Sequence, residues 1–296
     1  MKTKPSKILD WVFRVVNVTF ISIFTFCCAY PFYYVFIYSI SDPAAAMRGL
    51  TFWPSGFTLE NYRLILRMND IPWAFFISLS RTLLGTLLTV FCCSFFAYLL
   101  TDKAMLLRKW VYRFMVVTMY FSAGLIPWYL TMRGLGLKNS FLLYVIPSAV
   151  SAFYVILLKT YMEQLPASLS ESAKIDGAGY FRTFRSIIFP ISMPIIATIA
   201  VFSSVGQWSS WFDNLMLVNE PKLQTMQMIL YQYLNSSQAL SNMSTLDFAR
   251  GTAAVKLTPV SIQVTITVIT TLPIILVYPF LQRYFAKGIL IGAIKG

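Results

Sequence analysis

The sequence predicts an all-α membrane protein with six transmembrane helices in one domain, residues 1–296. Three observations lead there: composition, long apolar runs, and the positions of Lys and Arg. The chain is 57% hydrophobic and 12% charged, with mean hydropathy +0.67, against roughly 45–50% apolar and 25% charged in soluble domains. Apolar runs long enough to cross about 30 Å of hydrocarbon fall near 17–40, 74–100, 111–131, 141–160, 187–212 and 262–285. Six crossings put both termini on the same side, and successive spans in one bilayer make a single bundle.

The formal charge of +13 does not indicate nucleic acid, because the basic residues sit at the ends of apolar runs rather than among stacking aromatics on a polar face. With a cytoplasmic N-terminus, the inside segments collect Lys2, Lys4, Lys7 and Arg14, then Lys103, Arg108, Lys109 and Arg113, then Lys159, Lys174, Arg182 and Arg185. Fewer fall outside, so the positive-inside rule supports this orientation. Histidine is absent, which removes the commonest general base and transition-metal ligand. Cys27, Cys28, Cys92 and Cys93 are adjacent pairs inside apolar runs, without C-x-x-C spacing, and read as buried packing. No metal site is expected.

The first run follows a basic tail, but it exceeds the roughly 7–15-residue apolar region of a signal peptide and is expected to remain as an anchor. Arg81 interrupts the second run. Since Thr82–Leu100 can span alone, Arg81 is expected to snorkel at the outer interface. Pro190, Pro194, Pro273 and Pro279 fall inside the last two runs and predict kinks. The segment 213–258 reads as a long extracellular loop, and loops of that length are usually functional or mobile.

Between the fourth and fifth runs lies a segment too polar to span and too patterned to be slack, 165–186, within LPASLSESAKIDGAGYFRTFRSIIFPISMP. Ser168 with Glu171 forms a capping-box pattern, predicting a short helix from about Leu169. Gly177 and Gly179 offer the left-handed turn that ends it. A second short helix would carry Tyr180, Phe181 and Phe184 on one face, and Phe181 and Phe184 exposed to cytosol would mark an interface.

These residues resemble the permease subunits of type I ABC importers, in the maltose-like carbohydrate-uptake branch. The family's cytoplasmic motif stands here as Glu171-Ser172-Ala173, Asp176-Gly177-Ala178, Phe184, Ile187, Pro190 and Pro194, with Ser172 replacing an alanine. The likeness extends over nearly the whole chain, including Ala123–Ser140, Val205–Leu215 and Lys287–Gly296, and is greatest to the complex-oligosaccharide subgroup common in Gram-positive bacteria.

The resemblance implies a type I ABC importer permease fold with a cytoplasmic coupling helix. Glu171, Ala173, Asp176, Gly177, Ala178, Phe181 and Phe184 would meet the ATPase, and the cytoplasmic tail 286–296, through Gly292, Lys295 and Gly296, would enter the space between two ATPase subunits. It further implies a second, non-identical permease, an extracellular lipid-anchored solute-binding protein, an oligosaccharide substrate and a bacterial plasma membrane. The chain itself would bind no cofactor, ATP and Mg being used by the partner ATPase. From the residues, no phosphate-binding glycine loop or Ser-Lys dyad occurs, so no catalysis is expected. Gln207, Trp208, Trp211 and Asn214, spaced for one helical face, are candidates for the substrate pathway, with Tyr120, Tyr129 and Tyr154 from the third and fourth runs. A permease for an amino acid or phosphate, and a membrane-embedded enzyme, are the rival readings.

Overall fold

In the computed structural model the described residues are 7–46, 49, 52–67, 70–235 and 258–293, with backbone alone at 7–9 and 278–293. The described residues form helices and connections without a strand. They run α1 (Lys7–Ser39), α2 (Pro43–Ala46), α3 (Glu60–Leu66), α4 (Asp70–Thr101), α5 (Arg108–Thr118), α6 (Leu125–Gly134), α7 (Leu142–Val145), α8 (Ala152–Met162) and α9 (Ala167–Ile175). There follow α10 (Tyr180–Thr183), a π turn (Phe184–Ile188), α11 (Phe189–Ile191), α12 (Met193–Ser209), α13 (Phe212–Leu217), a 3-10 turn (Pro221–Leu223), α14 (226–235) and α15 (Pro259–Ala293).

Among the described residues, the stretches Asp10–Ser39, Asp70–Thr101 and Pro259–Val277 are helices long and apolar enough to cross a membrane. A fourth such segment is bent: Tyr180–Ile191 meets Met193–Ser209 at 85°. Pro190 and Pro194 flank this bend at Ser192, where each lacks the N–H a continuous helix needs. Pro273 and Pro279 lie inside α15, which continues through them.

The chain divides into two compact units, Met1–Met68 with Tyr233–Thr270, and Asn69–Gln232 with Thr271–Gly296. In the first, Asn61 is fully buried and its amide donates to the Ser39 and Ser41 carbonyls, at 2.9 and 3.1 Å, fastening α3 to the end of α1. Asp42 caps α2 through the Ala44 and Ala45 N–H groups. Thr258 and Ser261 cap the start of α15 reciprocally, each hydroxyl accepting the other's backbone N–H at 3.0–3.1 Å. In the second unit, α8 and α12 pack on α4. Cys93, Ala97 and Leu100 of α4 meet Val155 and Leu158 of α8 and Ile196 and Ile199 of α12 in one core.

Several expectations change. The third apolar run is broken at 119–124 and the fourth at 146–151. Gly124 sits at φ 81°, outside the helical region, and Pro127 and Pro147 each lack a backbone donor. The segment 213–258 is helical at its start, through α13 and α14; residues 236–257 lie outside the described residues. Helix α9 begins at Ala167, with Pro166 at its N-cap and no side-chain cap, so the Ser168–Glu171 capping box does not form. The Pro166 carbonyl accepts the Leu169 N–H, which places Ser168 within the first turn, past the capping position. Cys93 is buried as expected, but Cys27 and Cys28 are exposed, because α1 directs its apolar side chains outward.

Candidate functional site

Two features of the second unit stand out, a polar cavity and a projecting knob, and the same two helices serve both. The cavity, about 450 Å³, lies between α4, the α7–α8 break and the end of α12, within the roughly 300–1,000 Å³ usual for ligand sites. The break supplies Pro147, Ser148 and Ser151 to its wall. Side chains of α4 satisfy the carbonyls released there: Thr89 Oγ1 donates to Ser148 O at 2.9 Å, and Cys93 Sγ lies 3.7 Å from Ala149 O. Irregular backbone at membrane depth is tolerated where it lines such a cavity.

Arg81 is the organising residue. The expectation of a snorkelling boundary arginine fails: Arg81 is buried, its side chain only 4% exposed. Its Nε donates to Gln207 Oε1 at 3.0 Å, one terminal nitrogen to Ser210 O and Asp213 Oδ1 at 3.2 and 3.1 Å, and the other to Asp213 Oδ2. Its guanidinium stacks over Tyr144 at 4.6 Å. A buried charge of this kind requires such pairing, and the opposite charge comes from α13, far along the chain. Gln207 continues the network, donating to Ser148 Oγ at 2.6 Å. It fits only because residue 85 is glycine: a Cβ there would come within 2.7 Å of the Gln207 Cδ.

Of the expected pathway residues, Gln207 and Tyr154 line the cavity. Helix α12 ends at Ser209 and Ser210 is extended, so Gln207, Trp208, Trp211 and Asn214 do not share one helical face. Trp208 packs edge-on against Phe75, and Trp211 stacks on Tyr231 at 4.4 Å. Asn214 is buried beneath the cavity wall, donating to the Tyr144 hydroxyl at 2.7 Å. Tyr129 packs beside a separate apolar cluster, and Tyr120 is 83% exposed at the helix break. Sequence reasoning missed Arg81, Asp213, Ser148 and Tyr144. The available signal was Arg81 itself, a cation inside an apolar run.

The knob comprises α9, the glycine turn and α10. Gly177 adopts φ 73°; its N–H donates to Lys174 O at 3.1 Å, and Ala178 N–H donates to Ala173 O at 2.9 Å. This is the Schellman arrangement that ends helices on a left-handed glycine. Ala173 is buried beneath the turn, while Asp176 closes α9 as its C-cap. Glu171 and Ile175 project outward, Ile175 being 87% exposed, while Phe181 is half exposed and sets its ring edge-on against Phe95 of α4. Phe184 does not join this outer face. It is buried against Phe91, Phe95 and Tyr98 of α4 and Phe189, with ring centroids 5.1–6.5 Å apart. The aromatic collar of α4 gives that ring more apolar contact than solvent would.

A polar brace adds to this anchor. Lys174 Nζ meets Asp102 Oδ2 at 3.3 Å, just past the end of α4, and lies 5.5 Å from the Tyr180 ring. The Ala104 N–H, chiefly, holds the Asp102 carboxyl below the usual carboxylate range. Its hydrogen bond to Asp102 pushes the Lys174 ammonium up, and the same carboxylate pushes the Tyr180 hydroxyl up. In the expected tail, Gly292 lies in the backbone of α15, which runs to Ala293; Lys295 and Gly296 are outside the described residues.

The chain matches the family model for binding-protein-dependent transport system inner membrane components over residues 1–291. It is 33% identical to the polygalacturonan/rhamnogalacturonan transport system permease protein YtcP of Bacillus subtilis (strain 168), covering 96% of this chain and 99% of that protein. It is 34% identical to the protein LplC of the same strain, covering 96% and 95% of the two chains. A crystal structure of a bacterial ABC transporter involved in the import of the acidic polysaccharide alginate contains a chain that superposes with TM-score 0.85 at 27% identity, covering 96% of this chain and 100% of that one. The chain thus belongs to the binding-protein-dependent transport system inner membrane component family, the membrane-embedded permeases of ABC transporters, and has the all-helical type I permease fold.

Proposed function

We propose that this chain is the permease of an ATP-driven oligosaccharide importer, forming half of a pathway through the plasma membrane of a Gram-positive bacterium. The named sugar-polymer systems among its relatives, one of them from Bacillus subtilis, support that reading. The chain crosses the membrane six times with both termini inside; α5 with α6 and α7 with α8 form the third and fourth crossings as broken helices. Its partners are a second, non-identical permease, two ATPase subunits that use ATP and Mg, and a lipid-anchored solute-binding protein outside. The chain binds no cofactor and catalyses nothing.

The single observation carrying the mechanism is continuity. The knob is fixed to α4 through Phe184 and Asp102, and the chain runs on from it through the π turn, α11 and the bend at Ser192 into α12. Both helices reach the cavity, through Arg81 and Thr89 on α4 and Ser203 and Gln207 on α12. Arg81 and Asp102 are about 30 Å apart along the helix direction at 1.5 Å per residue. The knob is the coupling helix: closure of the ATPases on nucleotide moves it, and α4 and α12 carry the motion to the cavity as alternating access. Glu171, Ile175 and Phe181 form the face that enters the ATPase, with the C-terminal segment at Gly292, Lys295 and Gly296 as a second contact.

The test is reconstitution of the full transporter with its binding protein. Gly177→Pro places a fixed negative φ where 73° is required and removes the N–H donated to Lys174; Glu171→Ala removes the outward carboxylate. Both variants should assemble, yet sugar-stimulated ATP hydrolysis and uptake should fall by about tenfold or more, the loss of roughly 1.4 kcal/mol of coupling. Wild-type values in both would refute the lever.

A further inference from the structure

If the cavity is a station on the sugar pathway, as the proposed function holds, its wall also specifies the charge of the sugar. The lining contains one cation, Arg81, and one anion, Asp213, paired with each other. They are not equally presented to the cavity. The Arg81 side chain is 4% exposed and that of Asp213 15%. The guanidinium already serves Gln207, Ser210 O and both Asp213 oxygens, so it stands behind the carboxylate as a counter-ion.

The two carboxylate oxygens also differ. Asp213 Oδ1 accepts from Arg81, the Ser210 hydroxyl and the Asn214 N–H, whereas among the described residues Oδ2 accepts from Arg81 alone. Each carboxylate oxygen has about two acceptor sites, so Oδ2 keeps one. Around it, Ser151, Ser203 and Tyr154 line the same cavity, and their hydroxyls have no hydrogen-bond partner among the described residues. Trp128 supplies a flat apolar face. The set offers an anionic acceptor, neutral hydroxyls and an aromatic plane, which suits vicinal sugar hydroxyls. A carboxylated sugar would bring its negative charge to Asp213 first, and like charges at close range in a low-dielectric cavity repel.

We propose that this cavity is an uncharged-sugar subsite, with Asp213 Oδ2 accepting from a sugar hydroxyl and Arg81 acting as its buried counter-ion. It therefore discriminates against uronate residues at this point of the pathway.

The assembled transporter in lipid nanodiscs, without binding protein, is titrated with an oligogalactoside and an oligogalacturonate of equal length, which differ only in oxidation at the sugar's exocyclic carbon. Quenching of Trp128 fluorescence is the readout, defined by its loss in Trp128→Phe. The neutral sugar should bind about tenfold or more tightly than the uronate. Asp213→Asn, which leaves Arg81 as the net cation, should reverse that order; Arg81→Gln with Asp213→Asn should remove the preference in either direction. Equal or tighter uronate binding by the wild type overturns the proposal. So does absence of quenching by both sugars, and so does an unchanged order in Asp213→Asn should that variant assemble; the wild-type comparison stands if it does not. The importer reading is separately decided, since ATP-driven uptake into liposomes holding the same transporter, with its binding protein added, would persist even if this subsite proved wrong.

Discussion

Arg81 and Asp213 illustrate how much a single side chain can organise in a membrane protein. Removing one member leaves a buried, uncompensated charge, at a cost of about 3–5 kcal/mol; replacing both removes most of that cost. Arg81→Gln or Asp213→Asn alone should therefore lower the melting temperature of the detergent-extracted protein markedly, and the double variant should regain most of it. A double variant as unstable as the sum of the singles would show that the pair is not a unit. Gly85→Ala tests the same network from one turn further along α4, because its Cβ displaces the Gln207 amide from Arg81 and Ser148. The sequence marked Arg81 as unusual but could not name its partner. Asp213 lies more than a hundred positions away, and only the break of α12 at Ser210 brings it near. The same break scattered Trp208, Trp211 and Asn214, which an unbroken helix would have aligned.

Among the elements, the knob was the most legible from sequence, because its design is local. The glycine after α9, the left-handed turn and the short α10 all follow from residue types a few positions apart. What was not legible was the fate of Phe184, whose burial depends on the aromatic collar of α4, and the start of α9, where Pro166 supplants the serine. The breaks of the third and fourth apolar runs were hidden because apolar composition persists through them, and at the fourth the backbone is satisfied by Thr89 and Cys93 on another helix.

The brace at Asp102 gives a pH expectation. A lowered carboxylate pKa stabilises the folded state above the ordinary value of about 3.9, and that contribution is lost as pH falls through the lower folded value. A raised ammonium pKa contributes below its ordinary value of about 10.4 and is lost as pH rises through the higher folded value. The brace should thus be intact from about pH 5 to 9, and its contribution to the ratio of sugar moved to ATP hydrolysed should be flat there. Asp102→Asn should lower that ratio at neutral pH, and exchanging the charges, Asp102→Lys with Lys174→Asp, should restore part of it. No change in the ratio for Asp102→Asn would remove the brace from the coupling path.

For the molecule as a whole, two helices that share a core join two places about 30 Å apart, and the proposed lever would let work done at the knob alter access to the cavity. Composition and apolar runs announced a membrane bundle, and the motif announced its family; the cavity emerged only from tertiary packing. The most direct test places a cysteine at Ser151, on the cavity wall, after replacing Cys27, Cys28, Cys92 and Cys93 by alanine. The reconstituted transporter is then treated with a membrane-impermeant thiol reagent from either side, with and without trapped nucleotide. The account predicts labelling from the cytoplasmic side without nucleotide and from the outer side with it, an exchange abolished by Gly177→Pro; labelling from the same side in both states would contradict it.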